Sequence, residues 1–567
     1  MKKIFNIAIC AAALTIGASS CADLDLNPLS SASSENWYSS SDEIRISLND
    51  LYRTYLYGMH VEYWTDRRCD DWAQRDQVYE ICNGSVTSST STYITYWENS
   101  YKGVSRCNRV IEAIEKAGKE TEWATLKAEA CFFRAFLYGR LTLLWGNVPF
   151  YTGSLTIDEA FALGNEDTAE KIRKQVLEDF DYAIDNLPES NTSSGVWRVN
   201  KYVAKAIKAR FALNLKDYAT CEEECADVMN SGAYSLYYST TDPADSYGEY
   251  ARDKTMNTET IWSIPYSYEL GTTENIKSWV LRTAGGNAVA QPSWDLLAAY
   301  ECTDGLTIDK SPLFDPHDPF KNRDPRCNMT FAAPGTIIYG VEYNPSPAAN
   351  TVLKDGEAVK NKDMRVNDQY AAYAGTCIRK GAQDCWRDPM YNDNPWIMIR
   401  YADVLLMYAE ACCEQNKIDA SVLNAINDVR ARAYGVKRSD AGYPKITTTD
   451  QSELRKIIRR ERRVELAWEG RRFFDVRRWG LLEKMYSTHY YGFGNSTDIK
   501  TYYNAGNWYW PETPTIDEDG FADFSSWMAK YNIQRYGYHV YDPKVELFPI
   551  PDEDIKVCPK LKQNTGY

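Results

Sequence analysis

The sequence predicts a mostly α-helical protein in which tetratricopeptide-like helical hairpins form a scaffold carrying one large irregular insertion. Three observations predict this. Apolar residues recur at helical spacing in two separate regions, chiefly 41–230 and 397–483. The intervening stretch, 231–396, is rich in Gly, Pro, Asn, Asp and Tyr and carries few periodic runs. In each helical region one pair of neighbouring helices, 200–215 with 217–230 and 400–415 with 418–433, is joined by a link of only one or two residues, which fits an antiparallel hairpin.

The chain opens MKKIFNIAICAAALTIGASSC. Lys2 and Lys3 precede an apolar run from Ile4 to Ile16, and small residues lead to Cys21. The run is too short to span a bilayer and a polar chain follows, so residues 1–20 read as a signal peptide. A Cys directly after small residues resembles a bacterial lipoprotein signal, with Cys21 the lipidated first residue of the mature chain. Several acyl chains, at about 0.8 kcal/mol per buried CH₂, would hold it stably to a membrane. Residues 21–40 read as a tether and 41–567 as a single folded body.

Residues 41–60 read as a helix, capped by Ser41 or Asp42, with Ile44, Leu48, Leu51 and Tyr55 on one face. Residues 61–92 are aromatic-rich and then Ser/Thr-rich, an irregular excursion. Helices follow at 93–117 and 121–145. The second is apolar around almost its whole circumference, which predicts a central position, and Gly146 and Pro149 stop it. Further helices are expected at 168–187, 200–215 and 217–230, the last two linked only at Lys216. The pattern returns at 400–415 and 418–433 with a turn at Asn416–Lys417. No strict 34-residue period connects these pairs. Inside the insertion, TIWSIPYS is strand-like and QPSWDLLAAY reads as a short helix. A second irregular excursion spans 484–541. Irregular segments of this length are uncommon unless they build a functional surface.

Composition narrows the function. The 44% hydrophobic content of 567 residues excludes a disordered chain. A net charge of −15 argues against a phosphate-backbone binder, so no nucleic acid is expected. Four His residues make a multi-His metal centre a poor fit. The 42 Tyr and 17 Trp far outnumber the 17 Phe, and these types combine an apolar face with a polar handle suited to wet clefts. The fifteen Cys residues set no framework, although Cys377 and Cys385 flank a loop that a disulfide could close.

Five blocks then carry a resemblance. They are Cys21 with LDLNPLS (24–30); AEACFFRAFLYGRLTLLWGNVPF (128–150); and QPSWDLLAAYECTDG (291–305) with DPFKNRDPR (318–326). The others are IRYADVLLMYAEA (399–411) with INDVRARA (426–433), and IIRRERRVELAWEGRRFFDVRRWG (457–480), closed by FPIPDEDI and QNTGY. Together, in this order, they resemble the SusD/RagB family of Bacteroidota outer-membrane lipoproteins. The resemblance implies a helical scaffold with an irregular ligand-binding region and a lipid anchor facing the cell surface. It also implies capture of an oligosaccharide or polysaccharide and docking on a SusC-like TonB-dependent transporter.

Sugar rings offer a C–H face that an aromatic ring removes from water, and hydroxyls that polar side chains bond at the rim. Segments 63–72, 266–279 and 385–396 have the composition for this. Trp64, Trp72, Trp279 and Trp386 are the first-rank candidates, followed by Tyr63, Tyr266, Tyr268 and Tyr391. Asp66, Arg67, Asn83, Asn275 and Arg387 are the candidate polar partners. Trp145, Trp294, Trp396 and Trp479 read as structural, and the WYW at 508–510 is open between a second surface patch, a transporter contact and a loop anchor. Residues 459–479 hold eight Arg interleaved with Glu461, Glu465, Glu469 and Asp475, a pattern that favours an ion-pair network over an anion site. GxSxG, HExxH and Walker A motifs are absent and no carboxylate pair stands out, so no enzyme is expected. No cofactor is nominated. YECTDG and the Asp-rich run 315–326 offer oxygen ligands for Ca²⁺, with turn-forming Asp as the plainer reading. Capture of peptide or another nutrient by the same scaffold, an exported helical-repeat glycosidase and a purely structural adaptor are the alternatives.

Overall fold

The computed structural model describes residues 37–53, 66–75, 79–190, 198–240, 257–264, 266–269, 271–531 and 533–567. The leader, Cys21 and most of the tether lie outside them. Helix α1 (Ser41–Asn49) starts at a capping box in which Ser40 and Glu43 satisfy each other's backbone N–H groups. Regular helix ends at Asn49, a 3₁₀ turn reaches Tyr52, and the expected continuation from residue 54 lies outside the described residues. Strand β1 (Trp72–Gln74) precedes the long pair α2 (Ser91–Lys116) and α3 (Ala124–Trp145). As its all-round apolarity predicts, α3 is buried along nearly its whole length. It packs between α2 and α4 (Ala169–Asn186). Gly146 ends it at φ +73°, where a Cβ would also press to 3.1 Å from Leu547, so both backbone and space call for glycine.

Helices α5 (Lys201–Asn214) and α6 (Tyr218–Asn230) form a hairpin whose turn residue Lys216 takes a left-handed conformation. The chain then leaves the scaffold. It passes through β2 (Thr260–Ile264), β3 (Glu274–Asn275), β4 (Ala290–Pro292) and the short helix α7 (Trp294–Ala299). A four-stranded antiparallel sheet follows: β5 (Ile337–Ile338), β6 (Val341–Glu342), β7 (Thr351–Lys354) and β8 (Glu357–Lys360). Strands β9 (Tyr391–Asn392) and β10 (Trp396–Arg400) bring the chain back. Antiparallel pairing of β10 with β2, Trp396 opposite Ile264 and Arg400 opposite Thr260, clamps both ends of the insertion together. Trp262 of β2 is buried edge-on against Phe132 and Phe136 of α3, which pins that clamp to the scaffold.

The second helical region resumes as though nothing had intervened. Helix α8 (Tyr401–Glu414) packs on α6, while α9 (Ala420–Ala433) and α10 (Gln451–Glu465) pack on α8. The α8–α9 turn is again left-handed, at Asn416. The patterned stretch 457–480 divides into α10 and α11 (Arg472–Arg478), with Trp468 at φ +60° in the break. Strands β11 (Tyr490–Gly492) and β14 (Gln534–Gly537) pair across the second excursion, and β12 (Thr515–Ile516) with β13 (Ala522–Asp523) forms a small hairpin within it. Tyr509 and Trp510 lie in the core, as does Trp145, whose Nε1 donates to the Pro549 carbonyl at 2.8 Å.

The arginine-rich block is a buried ion-pair network. Arg400 donates to Glu259 at 2.7 Å, Glu465 at 2.6 Å and Glu469 at 2.8 Å, and Arg432 contacts both Glu259 and Glu465. Arg326 reaches Glu461 at 2.6 Å and Glu465 at 3.0 Å, and Arg430 reaches Glu461 at 2.8 Å. Arg463 bonds Asp71 at 2.7 Å and Asp70 at 2.9 Å. Burial alone would raise Glu465, but Arg432, Arg400 and Arg326 outweigh it and hold the carboxyl far below its ordinary range.

Two predictions follow from these contacts. Glu465→Gln keeps the shape but leaves Arg400 and Arg432 short of a buried counter-charge. We expect a loss of about 3–5 kcal/mol, read as a lowered urea midpoint, whereas a loss below about 1 kcal/mol would show that the network carries no such strain. The second concerns acid. Burial, with His489 beside it, lowers the His539 pKa to about 4. Because the folded value lies below the unfolded value of about 6.5, the unfolded chain takes up the proton first as pH falls. Stability is therefore retained near neutrality and drops by about 1–2 kcal/mol between pH 7 and 5. His539→Gln should flatten that slope in melting curves, and an unchanged slope would assign it to other groups.

Candidate functional site

Four tryptophans converge where the insertion rejoins the scaffold. Trp279, Trp386, Trp396 and Trp468 line a cleft of about 110 Å³ together with Asn392, Asn394, Lys380 and Glu469. Each arrives by a different route. Trp279 is half-buried between the main insertion core and its satellite cluster, and Trp386 ends a 3₁₀ turn in that satellite. Trp396 is the first residue of β10, so the β2–β10 clamp sets its position. Trp468 sits in the α10–α11 break, where the left-handed backbone turns its ring out of the helix path.

The wall behind Trp468 is rigid. Its ring stacks on Trp72 with centroids 4.2 Å apart, and its Nε1 donates to the Asp71 carbonyl at 3.2 Å. Lys380 Nζ donates to the Ala467 carbonyl at 2.8 Å and pairs with Glu469. Burial pushes the Glu469 carboxyl up, but Arg400 and Lys380 overcome it and hold the pKa at about 2. The cleft therefore presents one cation and one anion that neutralise each other. Asn392 accepts from the Asn394 backbone N–H at 2.7 Å, and Gln383 donates to Asn394 Oδ1 at 3.2 Å, which fixes the rim amides. Trp386 is only 4% exposed, and its buried Nε1 has no acceptor among the described residues. Flat apolar rings with a few fixed polar groups suit a neutral ligand with both C–H faces and hydroxyls.

The candidate residues from the sequence scatter. Trp279 and Trp386 line the cleft. Trp64 and Tyr63 lie outside the described residues. Trp72 is 0% exposed and backs Trp468 from inside the core, with no face toward a ligand. Asp66 is likewise buried and accepts from the Gly470 backbone N–H at 2.9 Å, anchoring the same break. Arg67 covers the rings of Trp72 and Tyr79 at 5.1 and 5.2 Å. Asn83 accepts from the Ser85 N–H in a tight turn. Tyr266 is buried, whereas Tyr268 and Tyr391 are 43% and 41% exposed. Pairing of β3 with β9 sets Asn275 opposite Tyr391 and next to the cleft residue Asn392, and Tyr268 Oη reaches the Tyr391 carbonyl. Arg387, following Trp386, is held by Asp355 at 2.6 Å and Asp388 at 3.0 Å.

Sequence reasoning missed two rings. Trp396 reads as core because it leads into an apolar helix, and Trp468 is hidden within the Arg/Glu block. Its one local signal is the following Gly470, a break in an otherwise helical pattern. Cys377 and Cys385 are free thiols, one buried and one exposed, because no bond joins the loop they flank. Among the described residues no group of three or more His, Cys, Asp or Glu side chains is arranged to hold a metal ion. The Asp residues read as Ca²⁺ alternatives serve local turns: Asp304 accepts from Ser311 and Asp315 from the His317 N–H. No helix among the described residues is long and apolar enough to cross a membrane.

Comparison with known proteins places the chain. Residues 252–567 match the SusD family, and residues 30–213 match a family described as starch-binding associating with outer membrane. The SusD-like protein P25 of Formosa agariphila is 26% identical over 428 residues, covering 72% of this chain and 74% of its own length. The SusD-like protein P38 of the same organism is 24% identical over 500 residues, covering 84% and 92%. Among solved structures, a SusD-like carbohydrate binding protein from Bacteroides fragilis superposes with a TM-score of 0.76 at 26% identity, covering 93% of this chain and 99% of its own. A surface glycan-binding protein A from Bacteroides fluxus shares the fold at a TM-score of 0.62 and 19% identity, covering 93% of this chain and 100% of its own. With one family match running over more than half of the sequence and a solved relative sharing nearly all of its fold, this chain belongs to the SusD family.

Proposed function

We propose that this protein captures an oligosaccharide or polysaccharide at the cell surface, in the tryptophan cleft, and delivers it to a partner TonB-dependent transporter. The protein is a non-catalytic binding protein, in keeping with its family. The observation that carries the reading is the convergence of Trp279, Trp386, Trp396 and Trp468 around one cleft with fixed amides at its rim. Stacking supplies affinity for the ring faces, Asn392 and Asn394 supply direction for hydroxyls, and the Lys380–Glu469 pair leaves no net charge to favour an acidic sugar there. Tyr268, Tyr391 and Asn275 extend the surface beside the cleft toward a second sugar unit, and contacts to successive units add avidity. Trp64 and Tyr63 belong to the same proposal as further contacts. Lipid on Cys21 would anchor the protein to the outer membrane and leave residues 21–40 as the tether that lets the body move over the transporter.

Trp279 and Trp396 are the rings to remove first, because both are half-buried and their loss disturbs the core less than that of Trp386. Affinity electrophoresis over plant, microbial and mucin glycans should show retardation in at least one gel. Trp279→Ala and Trp396→Ala should each weaken it by about tenfold, equivalent to about 1.4 kcal/mol. No reducing ends should be released on prolonged incubation. Retardation unchanged in both variants would move the site elsewhere, and retention of peptides with no glycan would replace the ligand class.

A further inference from the structure

A second cleft, of about 270 Å³, shares no lining residue with the tryptophan cleft. One wall is a face of α10, where Lys456 lies three and four residues before the adjacent Arg459 and Arg460, and Arg463 lies four and three residues after them. Arg472 at the start of α11 and Lys310, from the loop after α7, add two more cations. The opposite wall is the turn between β12 and β13, with Asp517, Glu518 and Asp519.

The cations differ in their commitments. Arg463 and Arg472 are held at 2.7–2.9 Å by the buried Asp70 and Asp71, and Arg460 Nε donates to Glu301 at 2.7 Å. The other three are loosely engaged. Lys310 makes no ion pair among the described residues. Lys456 stands 3.9 Å from Glu518 with both side chains exposed, a pair worth little. Arg459 stands 3.6 Å from Asp519, beyond hydrogen-bond length, and lies over the Trp479 ring at 5.0 Å. Across the cleft, Asp517 and Asp519 are both held by Lys484, which does not line it.

Among the described residues, two buried polar atoms of this cleft's lining have no hydrogen-bond partner: Arg459 Nε and Thr307 Oγ1. An unmet donor out of water forfeits its hydration with nothing in return, and the cost is greater for a charged group. Burial also lowers the Arg459 pKa despite Glu410, Glu414 and Asp519, so the guanidinium is under-neutralised where it sits. The same cleft thus contains a planar fork with an unpaired N–H, an unpaired hydroxyl and two exposed ammonium groups. That set matches a group with several oxygens and a negative charge.

We propose that this cleft binds an oxyanion, a sulfate, phosphate or carboxylate group, between Arg459, Lys310, Lys456 and the Thr307 hydroxyl. The group would belong either to a free inorganic ion or to an acidic substituent of a glycan. An entering anion would displace Glu518 from Lys456 and Asp519 from Arg459, both long contacts, while Lys484 keeps Asp519 neutralised. The proposal is independent of what the tryptophan cleft binds.

The test is calorimetry on the full-length protein at constant ionic strength, with sodium sulfate, sodium phosphate, an oligogalacturonide and a neutral oligosaccharide retained by the tryptophan cleft. At least one of the three anionic probes should bind, and Arg459→Gln and the exposed double variant K310Q/K456Q should each weaken it about tenfold or more. The neutral probe should bind both variants as it binds the unaltered protein. Binding of an inorganic ion assigns a free oxyanion, and binding of the oligogalacturonide alone assigns an acidic sugar. Heats equal to those of sodium chloride for all three overturn the proposal, as does unchanged affinity in K310Q/K456Q, which tests it even if Arg459→Gln fails to fold. Oligogalacturonide binding lost in Trp279→Ala but kept in both charge variants would also overturn it and return that ligand to the tryptophan cleft.

Discussion

The buried guanidinium–carboxylate network is the constraint on which the rest depends. Charges this far from water are costly, and only complete pairing in good geometry offsets the cost. Arginine suits the task because its planar fork can serve several carboxylate oxygens at once and it remains charged. Arg400 illustrates the consequence. It reaches Glu259 just before β2, and Glu465 and Glu469 at and beyond the end of α10. Three segments distant in sequence must arrive together or leave a charge buried alone. The network therefore acts less as a reservoir of stability than as a requirement for one arrangement.

That requirement positions the tryptophan cleft. Glu469, clamped by Arg400 and Lys380, lines it directly, and Trp468 is carried on the same break between α10 and α11. Trp396 is the first residue of the strand that ends in Arg400. One ring, Trp468, is thus fixed on the scaffold, Trp396 is fixed on the insertion's closing strand, and the other two come from within the insertion, whose ends the β2–β10 ladder holds together. A site divided this way keeps a rigid wall on the scaffold while the insertion can vary its loops.

Much of the scaffold was legible because helices announce themselves locally. The periods at 93–117, 121–145, 168–187 and 400–415 lie within a few residues of α2, α3, α4 and α8, since burial of one face requires that spacing. The turns at Lys216 and Asn416 were readable for the same reason. The site was legible in part. Trp279 and Trp386 stand out in irregular, polar surroundings, whereas Trp72 stands in similar surroundings and is core. A ring's neighbours in sequence do not say which ring it stacks on, and Trp72 is covered by Trp468, almost four hundred residues away.

By itself, the sequence determined the helical scaffold with its insertion, the paired character of the Arg/Glu block and the family likeness, because each rests on spacing or on motifs within short windows. Tertiary structure alone decided which aromatics share a cleft and which cations are left loosely engaged. Both depend on contacts between segments hundreds of residues apart. Arg459 and Arg463 occupy one helical face in one motif, yet Asp70 and Asp71 hold the second closely, while the first retains an unmet N–H.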